Sequence, residues 1–243
     1  MAADVSTTGN SNAANTSSGM KSTSSRVLTL IVAATRDLGI GRDGGLPWPQ
    51  LKQEMGYFAR ITKRPSSSHS QNTVNAVVMG RKTWDSIPPK FRPLKGRLNL
   101  VVSRSMTSEK SDAGPDGPIV VSGIQQAMNV LDERSKSTSE NAQSIGDVFI
   151  IGGSSIYDSA LSLPQTKRVL LTKIKHPQYE CDTFFPLDLD GEEAKEQGWR
   201  RKSWHHLVEF AGGEEAVGGK EVVAHEGHVK EGIVEWEYCL YER

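Results

Sequence analysis

Glu54 sits where a carboxylate could work as an acid. In residues 50–62, Leu51, Met55, Phe58 and Ile61 or Thr62 recur at the i, i+4, i+7 spacing of one buried helix face. Glu54 precedes Phe58 by four positions and adjoins Met55, so its carboxylate falls on or beside that apolar stripe. A charge there costs several kcal/mol unless it is paired or protonated. Burial raises a carboxyl pKa towards neutrality, which suits a proton donor. The alternative is a boundary Glu that bends out to solvent.

Three other points could hold phosphate. Gly80-Arg81-Lys82-Thr83 follows an apolar run at 74–79 and opens a helix, so backbone N–H groups, two cations and a hydroxyl converge. Gly152-Gly153-Ser154-Ser155 follows the run 148–151 in the same way, and its paired glycines let an anion approach the amides closely. Ser103-Arg104 ends a third run with a hydroxyl and a guanidinium. Each is weak alone. Together, at the carboxyl ends of strands in one sheet, they favour phosphate binding, because open α/β sheets bind ligands there.

Gly39-Ile40-Gly41-Arg42-Asp43-Gly44 spells G-x-G-x-x-G, but a dinucleotide fingerprint opens a helix directly after a strand. Here Gly45-Leu46-Pro47-Trp48-Pro49 follows, and the prolines forbid helix. The stretch reads as a tightly turning loop that covers a ligand, with a plain surface loop still open. No metal site is expected, since His205-His206 and His225-Glu226-Gly227-His228 lack ligand spacing. Neither a G-x-S-x-G elbow nor a Walker loop occurs, which argues against serine hydrolases and P-loop NTPases.

The elements that must position these residues alternate. Strands are expected at 27–34, 74–79, 98–102, 119–121, 148–151 and 169–174. Helices are expected at 50–62, 81–87 and 154–163, with a further one that Ser122 would cap and that carries Ile124, Met128 and Leu131 on one face. Residues 203–210 and 233–241 alternate and read as an antiparallel pair. The series argues an α/β fold: one domain with a mixed, mostly parallel central sheet, flanking helices and an antiparallel C-terminal strand pair. Polar stretches at 65–73, 135–144 and 212–232 read as inserted surface loops. Residues 1–25 hold eleven Ser or Thr and one acid, and read as a disordered tail ahead of a domain over 26–243. The first Arg is Arg26, which disfavours a mitochondrial transit peptide.

The 243 residues carry 29 basic and 29 acidic side chains, so nothing draws the whole chain to nucleic acid or an anionic membrane. No apolar run approaches the ~20 residues of a membrane helix. Two cysteines, Cys181 and Cys239, read as reduced thiols. A cytoplasmic monomer is the expectation.

In order, these segments resemble dihydrofolate reductase over about residues 26–243. The match runs through Leu30-Ile31-Val32-Ala33-Ala34, Gly39-Ile40-Gly41, Leu46-Pro47-Trp48-Pro49, Val78-Met79-Gly80-Arg81-Lys82-Thr83-Trp84 and Ser86-Ile87-Pro88. It continues through Arg92-Pro93-Leu94, Arg97-Leu98-Asn99, Ile151-Gly152-Gly153, Tyr157 and Asp182-Thr183-Phe184-Phe185-Pro186. The long loops, and Glu rather than Asp at position 54, resemble the eukaryotic branch, fungal members included.

The resemblance implies NADPH-dependent reduction of 7,8-dihydrofolate, and a pocket that takes antifolate inhibitors. It makes Glu54 the pocket acid, hydrogen-bonded by Thr172. Ile31, Val32, Met55, Phe58, Ile87, Leu94 and Ile151 become apolar walls, with Ser86 beside them, and Arg97 grips the carboxylate of the substrate's glutamate tail. Leu46 and Trp48 belong to the loop that closes over the nicotinamide, together with Gly41, Gly44 and Gly45. Ala33, Ile40 and Tyr157 would touch the nicotinamide half and the substrate beside it. Gly80, Arg81, Lys82 and Thr83, with Gly152, Gly153, Ser154, Ser155 and Ile156, would hold the pyrophosphate, and Ser103 and Arg104 the 2′-phosphate. A related pterin or pyrimidine reductase of the same fold, and a non-catalytic nucleotide-binding module, are the alternatives. Three features depart from the family pattern: Gly56 within the acid-bearing helix, Met55 where many relatives carry an aromatic, and Val121-Ser122-Gly123 without an Arg near the adenine.

Overall fold

The computed structural model describes residue 1 and residues 26–65, 72–105, 117–136 and 143–243. The expected tail at 2–25 and most of the loops expected at 65–73 and 135–144 lie outside the described residues. In chain order the elements are β1 (Leu28–Thr35), β2 (Gly39–Gly41), α1 (Lys52–Lys63), β3 (Thr73–Gly80), α2 (Arg81–Ser86), β4 (Arg97–Val102), β5 (Ile119–Val121), α3 (Ile124–Lys136) and β6 (Ser144–Ile150). They continue with α4 (Ser154–Leu161), β7 (Thr166–His176), β8 (Thr183–Phe184), α5 (Glu192–Glu196), β9 (Arg200–Arg201), α6 (Trp204–Ala211), α7 (Glu214–Val217), α8 (Lys220–Ala224), β10 (His228–Glu231) and β11 (Val234–Glu242).

One sheet runs in the order β10-β11-β7-β1-β6-β3-β4-β5, with β9 pairing β11. The strands β7, β1, β6, β3, β4 and β5 are parallel. β11 runs antiparallel to β7, and β10 to β11, so the mixed α/β architecture and its antiparallel C-terminal pair hold.

Side chains alternate faces along each strand. Leu28, Leu30, Val32 and Ala34 of β1 enter one core layer with Val148, Ile150 and helices α3 and α4. Ile31 enters the other with Val77, Met79, Val101, Phe149 and Leu170, beneath α1 and α6–α8. Glu54 lies on α1, which packs over this second layer, and Thr172 on β7 and Arg97 on β4 share its parity. Val32 does not, so its side chain cannot be a wall of a site on that face; only its backbone can.

The helix α1 is turned relative to the expected stripe. Its buried residues are Tyr57, Ile61 and Thr62, with Leu51 just ahead, whereas Met55 is 42% exposed and Phe58 half-buried. An i, i+4 pattern of long apolar side chains does not fix which edge of the stripe faces the sheet.

The C-terminal expectations change most. Residues 203–210 are not a strand but helix α6, which Ser203 caps by accepting from the His206 N–H (3.3 Å) and which ends at Gly212 with φ 89°. Trp204, Leu207, Val208 and Ala211 stand at the i, i+3, i+4, i+7 spacing of a helical stripe, and the Ser–Gly caps mark its ends. The supposed loop at 212–232 holds α7, α8 and β10, and sends Ala216, Val217, Val222 and Val229 into the second core layer. Ser122 does not cap α3: its hydroxyl goes to the Gln126 amide oxygen (2.8 Å), and Gly123 stands before the helix instead.

Candidate active site

The paired strands β1 and β6 separate where the site begins. Their ladder ends at Leu30–Ile150, while β1 continues beside β7 as far as Thr35. Beyond that fork the Ile31 carbonyl accepts from the Tyr157 hydroxyl at 2.8 Å, across a buried contact from α4. A crevice between diverging parallel strands at their carboxyl ends is where open α/β sheets bind ligands.

Glu54 faces this crevice from the first turn of α1. The Thr172 hydroxyl, on buried β7, donates to Glu54 Oε1 at 3.2 Å. Burial pushes the Glu54 carboxyl up to about 7, against the smaller opposing pull of the Thr172 hydrogen bond. Tyr57, Tyr157 and Tyr238 surround it closely enough to feel its charge. Tyr57 and Tyr238 stack at 4.0 Å between centroids, closing the core behind it. Thr172 pairs in register with Tyr238, so hydroxyl and aromatic backing come from adjacent strands.

A second polar end lies along the same helix. Glu54, Phe58 and Thr62 are spaced i, i+4, i+8, a stripe that rises about 12 Å at 1.5 Å per residue. At its far end Arg97 Nη1 donates to Thr62 Oγ1 (2.7 Å), and its guanidinium lies over the Phe58 ring at 5.8 Å. Burial draws Arg97 down to about 10, so it stays charged at neutral pH. No carboxylate among the described residues pairs with it. The residues expected as walls sit between these ends: Ala33, Phe58, Ile87, Leu94 and Ile151 are the half-buried rim of the second core layer, with Ile31 beneath. Met55 lies at the exposed edge, its sulfur accepting from the Gln50 amide (3.5 Å). Ser86 is turned away, its hydroxyl bonded to the Thr83 carbonyl (2.8 Å).

The expected nucleotide residues line three neighbouring strand ends, β6, β3 and β4. The Gly80 N–H donates to the Gly152 carbonyl (2.7 Å), which brings the entries of α2 and α4 side by side. A Cβ on Gly80 would lie 3.0 Å from Ile156, and one on Gly152, whose φ is 109°, would lie 3.2 Å from the Tyr157 ring. Backbone is packed this tightly only by glycine. Gly153 precedes α4 with no side-chain cap, and a Cβ there would sit 3.4 Å from Thr83 Oγ1. Arg81 and Lys82 are exposed on α2, with Arg81 3.8 Å from Asp85. The Ser154 hydroxyl is engaged by the Phe184 carbonyl (2.6 Å), while Ser155 is exposed. Ser103 and Arg104 end β4, where the Ser103 N–H donates to the Val121 carbonyl (2.9 Å) and Arg104 stands in solvent.

The glycine-rich stretch is a hairpin, not a helix entry. β2 pairs with β8, and Arg42 and Gly45 exchange two backbone hydrogen bonds (3.0 and 2.9 Å) around Asp43 (φ 51°) and Gly44 (φ 77°). Two positive-φ residues in a two-residue loop make the Asp-Gly turn that twisted strands favour. Ile40 leans on the first core layer. Gly39 is forced by contact, since a Cβ there would fall 2.2 Å from Cys181 Sγ. Beyond the hairpin Leu46 is 58% exposed, while Trp48 is buried edge-on to Tyr179 (6.2 Å).

Sequence reasoning overlooked the residues that hold this arrangement. Asn75 donates to the Thr62 and Arg64 carbonyls (3.2 and 2.9 Å), tying off the end of α1. Asn99 accepts from the Leu94 N–H (2.9 Å) and donates to the Leu94 and Arg97 carbonyls (3.0 and 2.8 Å). Both are polar residues inside otherwise apolar strands, and that was the available signal. A Cβ on Gly56 would meet Arg60 Nη1 at 2.9 Å, the far end of a flexible side chain whose Nε donates to the Ala216 carbonyl (3.0 Å). Among the described residues no group of His, Cys, Asp or Glu is arranged to hold a metal.

Comparison with known proteins bears on the whole arrangement. The dihydrofolate reductase family profile matches residues 27–205. The dihydrofolate reductase of Heliothis virescens is 36% identical over 216 residues, covering 89% of this chain and 97% of its own. That of Candida albicans is 36% identical over 220 residues, with the same two coverages. That of Schizosaccharomyces pombe is 40% identical over 197 residues, 77% of this chain, and the match spans 41% of that protein's length. With the profile over most of the sequence and relatives matched almost end to end, this chain belongs to the dihydrofolate reductase family.

Proposed function

We propose that the chain reduces 7,8-dihydrofolate to tetrahydrofolate and that its cofactor is NADPH. The observation that carries the reading is the stripe on α1. It sets a raised carboxyl at one end of an apolar cleft and, about 12 Å of helix rise away, a half-buried guanidinium with no carboxylate partner among the described residues. A ligand with a hydrogen-bonding ring at one end and a carboxylate at the other fits those terms.

Glu54 accepts the pterin 2-amino group and N3 and helps water bring a proton to N5, with Thr172 holding the carboxyl in place. Ile31, Phe58, Ile87, Leu94 and Ile151 enclose the ring system and exclude water, which strengthens every electrostatic contact inside. Arg97 grips the glutamate α-carboxylate, a pairing suited to a planar guanidinium. The hairpin segment with Leu46 and Trp48 covers the reacting ring.

The strand ends fit a nicotinamide dinucleotide. Close-packed glycines at 80, 152 and 153 bring two helix entries side by side, and helix entries favour pyrophosphate. Arg81, Lys82, Thr83 and Ser155 surround them, and Ser103 and Arg104 lie one strand further on, for the 2′-phosphate. When bound, the cofactor supplies the hydride for C6. Little covalent chemistry falls to the protein beyond orientation and one tuned acid.

The test is consumption of NADPH by the purified chain. Loss of absorbance that depends on dihydrofolate and is absent with a pterin lacking the glutamate tail at equal low concentration supports the reading. Turnover of an oxidised pterin or a pyrimidine in preference to dihydrofolate would assign it to a related reductase.

A further inference from the structure

The N-terminus of α1 has no cap of its own. Leu51 stands at the cap position with no side-chain hydrogen bond to offer. The gap is filled from far along the chain, because both carboxylate oxygens of Glu231 accept from this turn. Oε1 takes the Lys52 N–H and Oε2 the Gln53 N–H, each at 2.9 Å. Glu231 is the last residue of β10, just before the hairpin turn at Gly232 (φ 63°), and lies beyond the segment that the family profile matches.

The next residue of that helix is Glu54. β10 pairs with β11 and β11 with β7, which carries Thr172. One rigid hairpin-and-strand unit therefore touches the acid from two sides, through the Thr172 hydroxyl and through the clamp on the preceding two amides. We propose that Glu231 is a positioning residue for Glu54, fixing the first turn of α1 against β10 so that the acid stands at the end of the cleft. The proposal rests on Glu54 being the acid of the reaction.

The clamp is also electrostatic. A carboxylate at a helix N-terminus offsets the positive end of the macrodipole, which would otherwise favour ionised Glu54. The other titratable groups around Glu54 are the phenols of Tyr57, Tyr157 and Tyr238, all pushed upward by burial and neutral near pH 7. Tyr238 feels Glu231 as well as Glu54 and the Arg60 cation. On the hairpin itself, Lys230 is engaged by Glu235 at 2.7 Å.

The experiment is the pH profile of single-turnover reduction for the parent, Glu231→Gln, Glu231→Ala and Glu235→Gln. Glu231→Gln keeps an acceptor and loses the charge, and its apparent pKa is expected to fall by about 0.3–0.7 pH unit. Glu231→Ala should also slow the step about three- to thirtyfold at pH 7, the range set by losing a helix cap. Glu235→Gln removes an equal charge from the same hairpin away from α1 and should leave the profile unmoved. Equal profiles for all four proteins, with Glu54→Gln inactive, would overturn the role of Glu231 alone. A Glu54→Gln variant that keeps parental turnover would overturn the acid assignment beneath it. A profile shifted equally by Glu235→Gln would reduce the effect to net charge and also overturn the proposal.

Discussion

The two ends of the cleft are made on different terms. The acid end is built from side chains under the sheet. Glu54, Thr172, Tyr57 and Tyr238 are packed before any ligand arrives, and low polarity does the tuning. The other end, the strand-end region proposed for the nucleotide, is built from backbone and water-facing cations: close-packed glycines, with Arg81, Lys82 and Arg104 standing in solvent. The first gains its effect from burial, which salt does not screen. The second gains it from exposed charge, which salt does. Substitutions at the two ends should therefore differ in size and in kind.

The largest effect belongs to Glu54→Gln. The amide keeps an oxygen for the Thr172 hydroxyl but cannot supply the proton, and general acid help is worth about 10²–10⁴-fold. Turnover by the parent should fall as pH rises through about 7, where Glu54 loses its proton. Stability of the parent should fall over the same range, for a linked reason. The folded pKa lies above the ordinary carboxyl value, so the folded state holds a proton that the unfolded chain releases, and rising pH costs the parent stability between about 4.5 and 7. Glu54→Gln escapes that cost. Its unfolding free energy should be close to the parent's near pH 5 and exceed it at pH 8, by an amount on the order of 2–3 kcal/mol, read by denaturant or thermal unfolding. A variant that is both slower and less stable at pH 8 would show that the carboxylate is structural.

At the other end of α1, Arg97→Lys should raise KM for dihydrofolate about five- to thirtyfold with kcat nearly unchanged. In the proposed reading the guanidinium holds a remote carboxylate equally in ground and transition states, and lysine would not repeat its two parallel hydrogen bonds. Comparison with a tail-less pterin checks this. If that compound suffers the same penalty, Arg97 serves the Thr62 and Phe58 contacts instead.

The same contrast explains what was legible in the sequence. Strand ends announce themselves, since apolar runs stop at Gly80, Ser103 and Gly152, and all three fall on neighbouring strands. The placement of Glu54 beside a buried face was legible from helical spacing, but not the rotation of α1, because Met55 and Tyr57 can both join a core and only the sheet decides between them. The C-terminal segment was misread at residues 203–210, where Trp204, Val208 and Phe210 suggest a period of two that Leu207 breaks, and Ser203 and Gly212 marked the helix. Its glycine-rich continuation looked like a loop because short elements need frequent positive-φ breaks. Gly212, Gly213, Gly218, Gly219, Gly227 and Gly232 supply them between pieces that are buried. Contacts such as Asn75 to the end of α1 join residues that no local pattern relates.

The smallest effect, and the one that most sharpens the contrast, is at Arg104. It ends β4 one strand away from the Gly80–Gly152 junction, in solvent, beside Ser103. Adjacent strands lie about 4.8 Å apart, so the ends of β6, β3 and β4 span roughly 10 Å, a reach suited to a pyrophosphate at one side and a ribose phosphate at the other. No acidic side chain follows β4 at 103–105 to accept a pair of ribose hydroxyls, as an NAD-selective site would use. NADPH should therefore be preferred over NADH by roughly ten- to a hundredfold in kcat/KM, from a charge-assisted contact of about 1.5–3 kcal/mol. Arg104→Ala should remove about tenfold of that preference through KM for NADPH and leave the NADH reaction as it was. Because the guanidinium is exposed, the preference should shrink as ionic strength rises, while the Glu54 pH profile stays in place. Equal efficiency with the two cofactors in the parent would remove Ser103 and Arg104 from the cofactor site. A preference that salt does not weaken would mean that the phosphate is read by buried groups, and the two ends of the cleft would then work on the same terms after all.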